Sequence, residues 1–145
     1  MSSERHSVSI HFARTLVAAA KRNHIDHQQL LRFAGLNEQM LENPGLRITP
    51  DQLSRMMQEM WRVSDDEFMC MGSHPSRHGV FTLMAKQAVR CRNLRAVYHH
   101  LGHFYNLVAD ALILDFSVTD DEVRFSMRLT DPDRDPDCTL REFLL

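Results

Sequence analysis

Residues 112–129 read LILDFSVTDDEVRFSMRL, and this stretch decides the fold class. Leu112, Leu114, Phe116 and Val118 alternate with Ile113, Asp115 and Ser117. After Thr119-Asp120-Asp121-Glu122, the residues Val123, Phe125, Met127 and Leu129 alternate with Arg124, Ser126 and Arg128. A period of two sends alternate side chains to opposite faces of a strand. Two such runs joined by a polar break predict an antiparallel hairpin with one buried and one wet face. A hairpin by itself is marginal in water. The sheet is therefore expected to be completed by further residues or by a partner, with 123–129 an edge open to pairing.

Upstream of Asp110 the period is helical, so the expected class is α+β, with about six helices before the hairpin. Asp26 followed by Gln29 forms a capping-box pattern, with Ile25 and Leu30 as its hydrophobic staple. Gly35 stands where a helix-ending glycine belongs. Asn37 starts another helix, which Asn43-Pro44-Gly45 stops. Thr49-Pro50-Asp51-Gln52 repeats the box with proline at the first helical position, and Ser64-Asp65-Asp66-Glu67 reads as a further box. An opening helix over roughly 9–22 presents Phe12, Leu16, Ala19 and Ala20 on one side. The helix after Thr49 presents Leu53, Met56, Met57, Met60 and Trp61. Met-rich faces serve as adaptable binding surfaces, but core packing explains these better. Helices over roughly 80–91 and 94–108 follow, the second capped by Asn93. At about 100° per residue, Leu94, Val97, Tyr98, Leu101, Phe104, Tyr105 and Val108 share one face of it. After the hairpin come the acidic loop 131–137, DPDRDPD, and a last apolar segment from Thr139, TLREFLL.

Composition bounds the function. The chain has 145 residues, 43% apolar and 25% charged, which suits one domain with one core, taken as 1–145. The net charge of −2 gives no general pull toward nucleic acid or an anionic membrane. The acidic excess is local, with 4 Lys+Arg against 9 Asp+Glu in residues 111–145. Cys70, Cys91 and Cys138 are an odd, scattered set without CxxC, which fits a reducing cytoplasm. MSSERHSVS lacks the apolar core of a secretory leader, and no run approaches the roughly 18 apolar residues of a membrane span.

The sharpest chemical signal is YHHLGHF, residues 98–104. His99 and His103 are four apart, the spacing of a helical metal-ligand pair. On the helical wheel they fall opposite the apolar stripe, and the glutamate of HExxH is absent. A functional zinc site needs three or four ligands with support behind them, so a solvated helix face is expected, with no metal site beyond adventitious binding at His99 and His103. Asp131, Asp133, Asp135, Asp137 and Glu142 imitate calcium-loop spacing, but Pro136 holds the place of the glycine that must turn left-handed. Cys91 on an apolar helix face reads as a packed thiol. Arg90, Arg92 and Arg95 read as a solvated basic face. No GxSxG, phosphate loop or dinucleotide fingerprint is present. No catalysis and no cofactor are expected.

The order of these pieces is IDHQQLLRFAGL, LENPGLRITPDQLSRMMQEMW, SDDEFMCMG, then GVFTLMAKQAVRCRNLRAVYHHLGHFYNLV and the hairpin. It resembles the N-terminal effector domain of AraC/XylS-type bacterial transcription regulators, in particular the group with an arabinose-binding-type N-terminal domain. The resemblance runs from about residue 8 to 145. Its most specific parts are the LL-x-x-AGL phrase ending at Leu36, RITPDQL, and the long phrase opening at Gly79. Many members carry a second glycine shortly after the one matching Gly79, near which this chain has Thr82. The resemblance implies a cytoplasmic homodimer that senses a small-molecule effector. It also implies DNA binding through a C-terminal pair of helix-turn-helix motifs that these residues do not contain, and an effector domain that continues past Leu145.

The residues fit a sensor whose ligand lies between the two helices after Gly79 and the sheet they cover. Phe81, Met84, Tyr98, Tyr105 and Phe116 are the expected walls, with the two tyrosine hydroxyls as polar anchors. For each of the five, simple packing in the core is the more expected reading. The competing function is a ligand-free homodimerisation or protein-interaction module.

Overall fold

The structure, a computed structural model, describes residues 6–144. The reading of MSSERHSVS as leader-free falls in part on residues 1–5, which lie outside the described residues. The chain divides into two compact units, residues 1–65 and 66–145.

The first unit is helical. A two-residue strand β1 (Val8–Ser9) leads into α1 (Ile10–Arg22), α2 (His27–Ala34) and α3 (Glu38–Leu41). Strand β2 (Arg47–Ile48) pairs back antiparallel to β1, and α4 (Pro50–Ser64) follows. The start signals in the sequence form as side-chain caps, which satisfy amide groups that a helix leaves unpaired in its first turn. Asp26 Oδ1 accepts from the amides of Gln28 at 3.0 Å and Gln29 at 3.3 Å. Asn37 Oδ1 accepts from the Met40 amide at 3.0 Å. At Thr49 the full reciprocal box forms, with Gln52 N donating to Oγ1 at 3.1 Å and Thr49 N donating to Gln52 Oε1 at 3.0 Å. Gly35 ends α2 in the left-handed region at φ 69°. Ile10, Leu16, Leu30, Leu31, Met56 and Met60 are fully buried and form this unit's core.

Gln29 departs from the expected box. Its side chain does not turn back to Asp26 but donates to Glu59 Oε1 at 2.6 Å. Glu59 is only 3% exposed on α4 and also takes two hydrogen bonds from Arg62, at 2.8 and 2.6 Å. The Arg62 guanidinium, aided by Gln29, holds the Glu59 carboxyl below the usual carboxylate range against the opposing effect of burial.

The second unit holds α5 (Val80–Ala88), α6 (Leu94–Val108), the strands β3 (Leu112–Val118) and β4 (Val123–Leu129), a 3₁₀ turn (Pro132–Arg134) and α7 (Thr139–Leu144). Among the described residues six α-helices precede the hairpin, and the class is α+β as expected. The hairpin register pairs Leu112 with Leu129, Leu114 with Met127 and Phe116 with Phe125. Among the described residues the sheet has only these two strands.

The box at Ser64-Asp65-Asp66-Glu67 starts no helix. Ser64 still belongs to α4, and Asp65, at φ 51°, ends it. Asp66 is 3% exposed and organises the following loop. Its Oδ1 accepts from the amides of Phe68 at 2.9 Å and Ser76 at 2.8 Å, and its Oδ2 from Cys70 at 2.9 Å. Glu67 reaches forward to the start of α5, accepting from Gly79 N at 2.7 Å and Phe81 N at 2.9 Å. Gly79, at φ 106°, lies where a side chain would be strained.

The calcium-like loop is likewise put to structural use. Asp135 is 1% exposed, its Oδ1 accepts from the Leu140 amide at 2.9 Å, and Arg141 Nε lies 3.6 Å from its Oδ2. That carboxylate is turned to the first turn of α7, which favours negative charge.

The apolar stripe of α6 is shifted from the wheel. Tyr105 is buried and Tyr98 and Leu101 half-buried, but Leu94 is 68% and Val108 52% exposed. Gly102 is buried instead, because α6 packs closely on β3: a side chain there would begin 3.6 Å from the Leu114 carbonyl oxygen. Asn106 fixes this contact with both ends of its amide, as its Nδ2 donates to Leu114 O and its Oδ1 accepts from Leu114 N, each at 2.8 Å.

Candidate ligand cavity

Where α6 lies across the inner face of the hairpin, the side chains leave a cavity of about 180 Å³. Alternation in β3 and β4 sends Leu112, Leu114, Phe125 and Met127 toward it, and helix α6 contributes Tyr98, Leu101 and Tyr105. Phe81 from α5 and Leu144 from α7 complete the lining. These last two, 56% and 38% exposed, are the most open of the set and form the rim. Glu67, by gripping the Phe81 amide, fixes one side of that rim.

Three of the five expected wall residues, Phe81, Tyr98 and Tyr105, meet here. Met84 is buried at 3% but packs outside the cavity lining. Phe116 also stands outside it and supports Tyr98 from behind. The two rings stack with centroids 5.3 Å apart and 18° between their planes, while Phe125 lies 5.1 Å from Tyr98 on the cavity side. Such aromatic contacts hold the Tyr98 ring in one orientation. The hairpin lining was missed in the sequence although the alternation carried the signal: the inward set of one face contains Leu112, Leu114, Phe125 and Met127. Leu144 had no such signal, since its place depends on how the acidic loop returns the chain.

The chemistry of the site is spare. The only polar groups among its lining side chains are the hydroxyls of Tyr98 and Tyr105, and neither has a hydrogen-bond partner among the described residues. Burial, with a smaller push from the Glu67 carboxylate, raises the Tyr105 phenol to about 12. Like an unperturbed phenol, it is a neutral donor at physiological pH. No charged side chain lines the space, and no nucleophile stands beside a base within it.

The histidine cluster lies apart from the lining. His99 and His103 are exposed, and the His99 ring meets the edge of Phe116 with centroids 4.8 Å apart. Among the described residues no three His, Cys, Asp or Glu side chains gather into a metal-binding group. Cys91 is half-buried, and none of Cys70, Cys91 and Cys138 forms a disulfide. No described helix is long and apolar enough to cross a membrane.

Comparison with known proteins identifies the chain's relatives. Residues 25–145 match the family described as the arabinose-binding domain of AraC transcription regulators, N-terminal. No curated protein and no solved structure gave a match. The match spans α2 through α7 and so takes in the cavity and every element that lines it. This chain belongs to the N-terminal arabinose-binding domain family of AraC transcription regulators, a family of ligand-sensing regulatory domains.

Proposed function

We propose that residues 1–145 form the effector-sensing and dimerisation domain of an AraC-type regulator, acting in the cytoplasm as a homodimer and controlling a DNA-binding domain outside this stretch. The observation that carries the reading is the cavity between α6 and the hairpin, with two tyrosine hydroxyls at its wall that no described protein group engages. A small molecule seated there would touch α5, α6, α7 and both strands at once. It would therefore favour one arrangement of these elements by as much as its affinities for the two arrangements differ. Phe81, Tyr98 and Tyr105 are the binding residues in this reading. Met84 and Phe116 act behind them, by packing. The domain performs no catalysis.

The test is a metabolite screen on the purified chain, reading thermal stability and oligomeric state together. A ligand that binds only the folded chain raises the melting temperature with concentration. The expected result is a hit whose effect is weakened by both Tyr98→Phe and Tyr105→Phe and which shifts the monomer–dimer balance.

One observation favours the rival reading of a ligand-free dimerisation module. Leu83 and Val89 near α5, and Leu94 and Leu107 on α6, are 58–82% exposed. Apolar side chains at that exposure suit a protein partner. A stable dimer whose melting temperature responds to no metabolite would favour the module.

A further inference from the structure

We propose that the cavity selects a small, mainly apolar ring compound bearing a single hydroxyl-type polar group, such as a simple phenol, and rejects pentoses. This rests on the sensing reading above and deepens it. Seven of its nine lining side chains are hydrocarbon or thioether, and the other two are phenols. A pentose carries a hydroxyl on nearly every carbon. Two phenolic hydroxyls can serve only part of that set. Both the amide and the carbonyl of Leu114 are already engaged by Asn106. Each sugar hydroxyl buried without a partner weakens binding roughly five- to hundredfold. No charged or amide side chain is there to make up the loss.

Size and shape point the same way. A dry cavity of roughly 150 Å³ lined by aliphatic and aromatic groups accepts a benzene ring, and this one measures about 180 Å³. That leaves room for one ring with a small substituent. Tyr98 is held by its stack on Phe116, and Phe125 stands 5.1 Å away, so a flat ligand meets pre-oriented aromatic faces. The ligand's polar group can then donate to, or accept from, the Tyr98 or Tyr105 hydroxyl.

The experiment is titration of the whole chain with 4-methylphenol and, separately, with L-arabinose, followed by calorimetry and by NMR contacts to the Met127 methyl group. The expected result is saturable binding of 4-methylphenol with contacts to Met127, at least about tenfold tighter than arabinose. Leu101→Trp, which fills the space from α6, should abolish it. Should that variant fail to fold, the Met127 contacts in the parent chain carry the decision alone. Arabinose binding tighter than 4-methylphenol with shifts at Met127 would overturn the proposed ligand class and leave the cavity's sensing role standing. Binding of 4-methylphenol without contacts at Met127, or no binding of either probe, would overturn the class as well. In the last case the metabolite screen decides separately whether the domain senses anything.

Discussion

Asn106 on α6 imitates a neighbouring strand toward Leu114 on β3, giving and taking one hydrogen bond at 2.8 Å each. Leu114 is 5% exposed, so neither of its backbone groups is well placed to find water instead. Asn106→Ala should cost about 2 kcal/mol, since stranding buried backbone groups costs about 1–3 kcal/mol. Asn106→Asp should also destabilise, because it keeps the acceptor for Leu114 N but faces Leu114 O with a second acceptor. Urea unfolding of the three proteins checks this, and equal stabilities would remove Asn106 as the tie between helix and sheet.

Asp66 gathers three amides from Phe68, Cys70 and Ser76. Asp66→Ala should be the most damaging loop substitution, at about 3 kcal/mol, since it strands several amides in a site only 3% exposed. Asp66→Asn should be milder: its remaining oxygen can still serve Phe68 and Ser76, and only Cys70 meets a donor. Thermal unfolding would rank them, and the expected order of stability is Asp, then Asn, then Ala.

That loop also shows where the sequence could be read and where it could not. The caps at Asp26, Asn37, Thr49 and Asn93 act over two or three residues, so local pattern was enough to place them. Asp66 has the same local pattern, yet one of its partners, Ser76, lies ten residues on, and that non-local bond fixes the chain as a loop. Gln29 likewise prefers Glu59, 30 residues away, to its own helix start. The hairpin was legible because alternation is set by the strand itself. The cavity was only half legible. Its tyrosines lie on the apolar face of α6, but which of Met84, Phe116 and Met127 faces the space depends on register and on how α6 is seated against β3.

The Glu59–Arg62–Gln29 cluster predicts a pH dependence. The folded state lowers the Glu59 carboxyl below its unfolded value near 4.3. A lowered carboxylate contributes stability above the unfolded value and loses it as pH falls through the folded one. This contribution should therefore be intact at neutral pH and fade below about pH 4. Glu59→Gln should lower stability at pH 7 by about 1 kcal/mol, since a hydrogen bond to a charged group is lost while the mostly exposed Arg62 regains water. It should also flatten the acid limb, which denaturant midpoints across pH 3–7 would reveal.

His99 and His103 supply a test of the metal reading. Both are exposed on α6, and no third ligand gathers with them among the described residues. The double variant His99→Ala/His103→Ala should have the same melting temperature as the parent in the presence and absence of zinc, within the small scatter of surface substitutions. A zinc-dependent rise in the parent of several degrees, lost in the variant, would restore a metal site to this helix.

Tyr105 gives the cavity an intrinsic reporter. Its phenol is raised to about 12, chiefly by burial and then by Glu67. A group raised on folding contributes stability that is complete below the unfolded value, near 10, and is lost as pH climbs to the folded value. Alkaline unfolding should therefore set in between pH 10 and about 12. Tyr105→Phe should remove that part of the pH dependence, leaving the alkaline limb flatter. Glu67→Gln takes away the smaller, like-charge contribution and should ease Tyr105 ionisation modestly. Ultraviolet difference titration against Tyr105→Phe isolates the one phenol, and an ionisation near 10 for Tyr105 would show that neither burial nor Glu67 raises it.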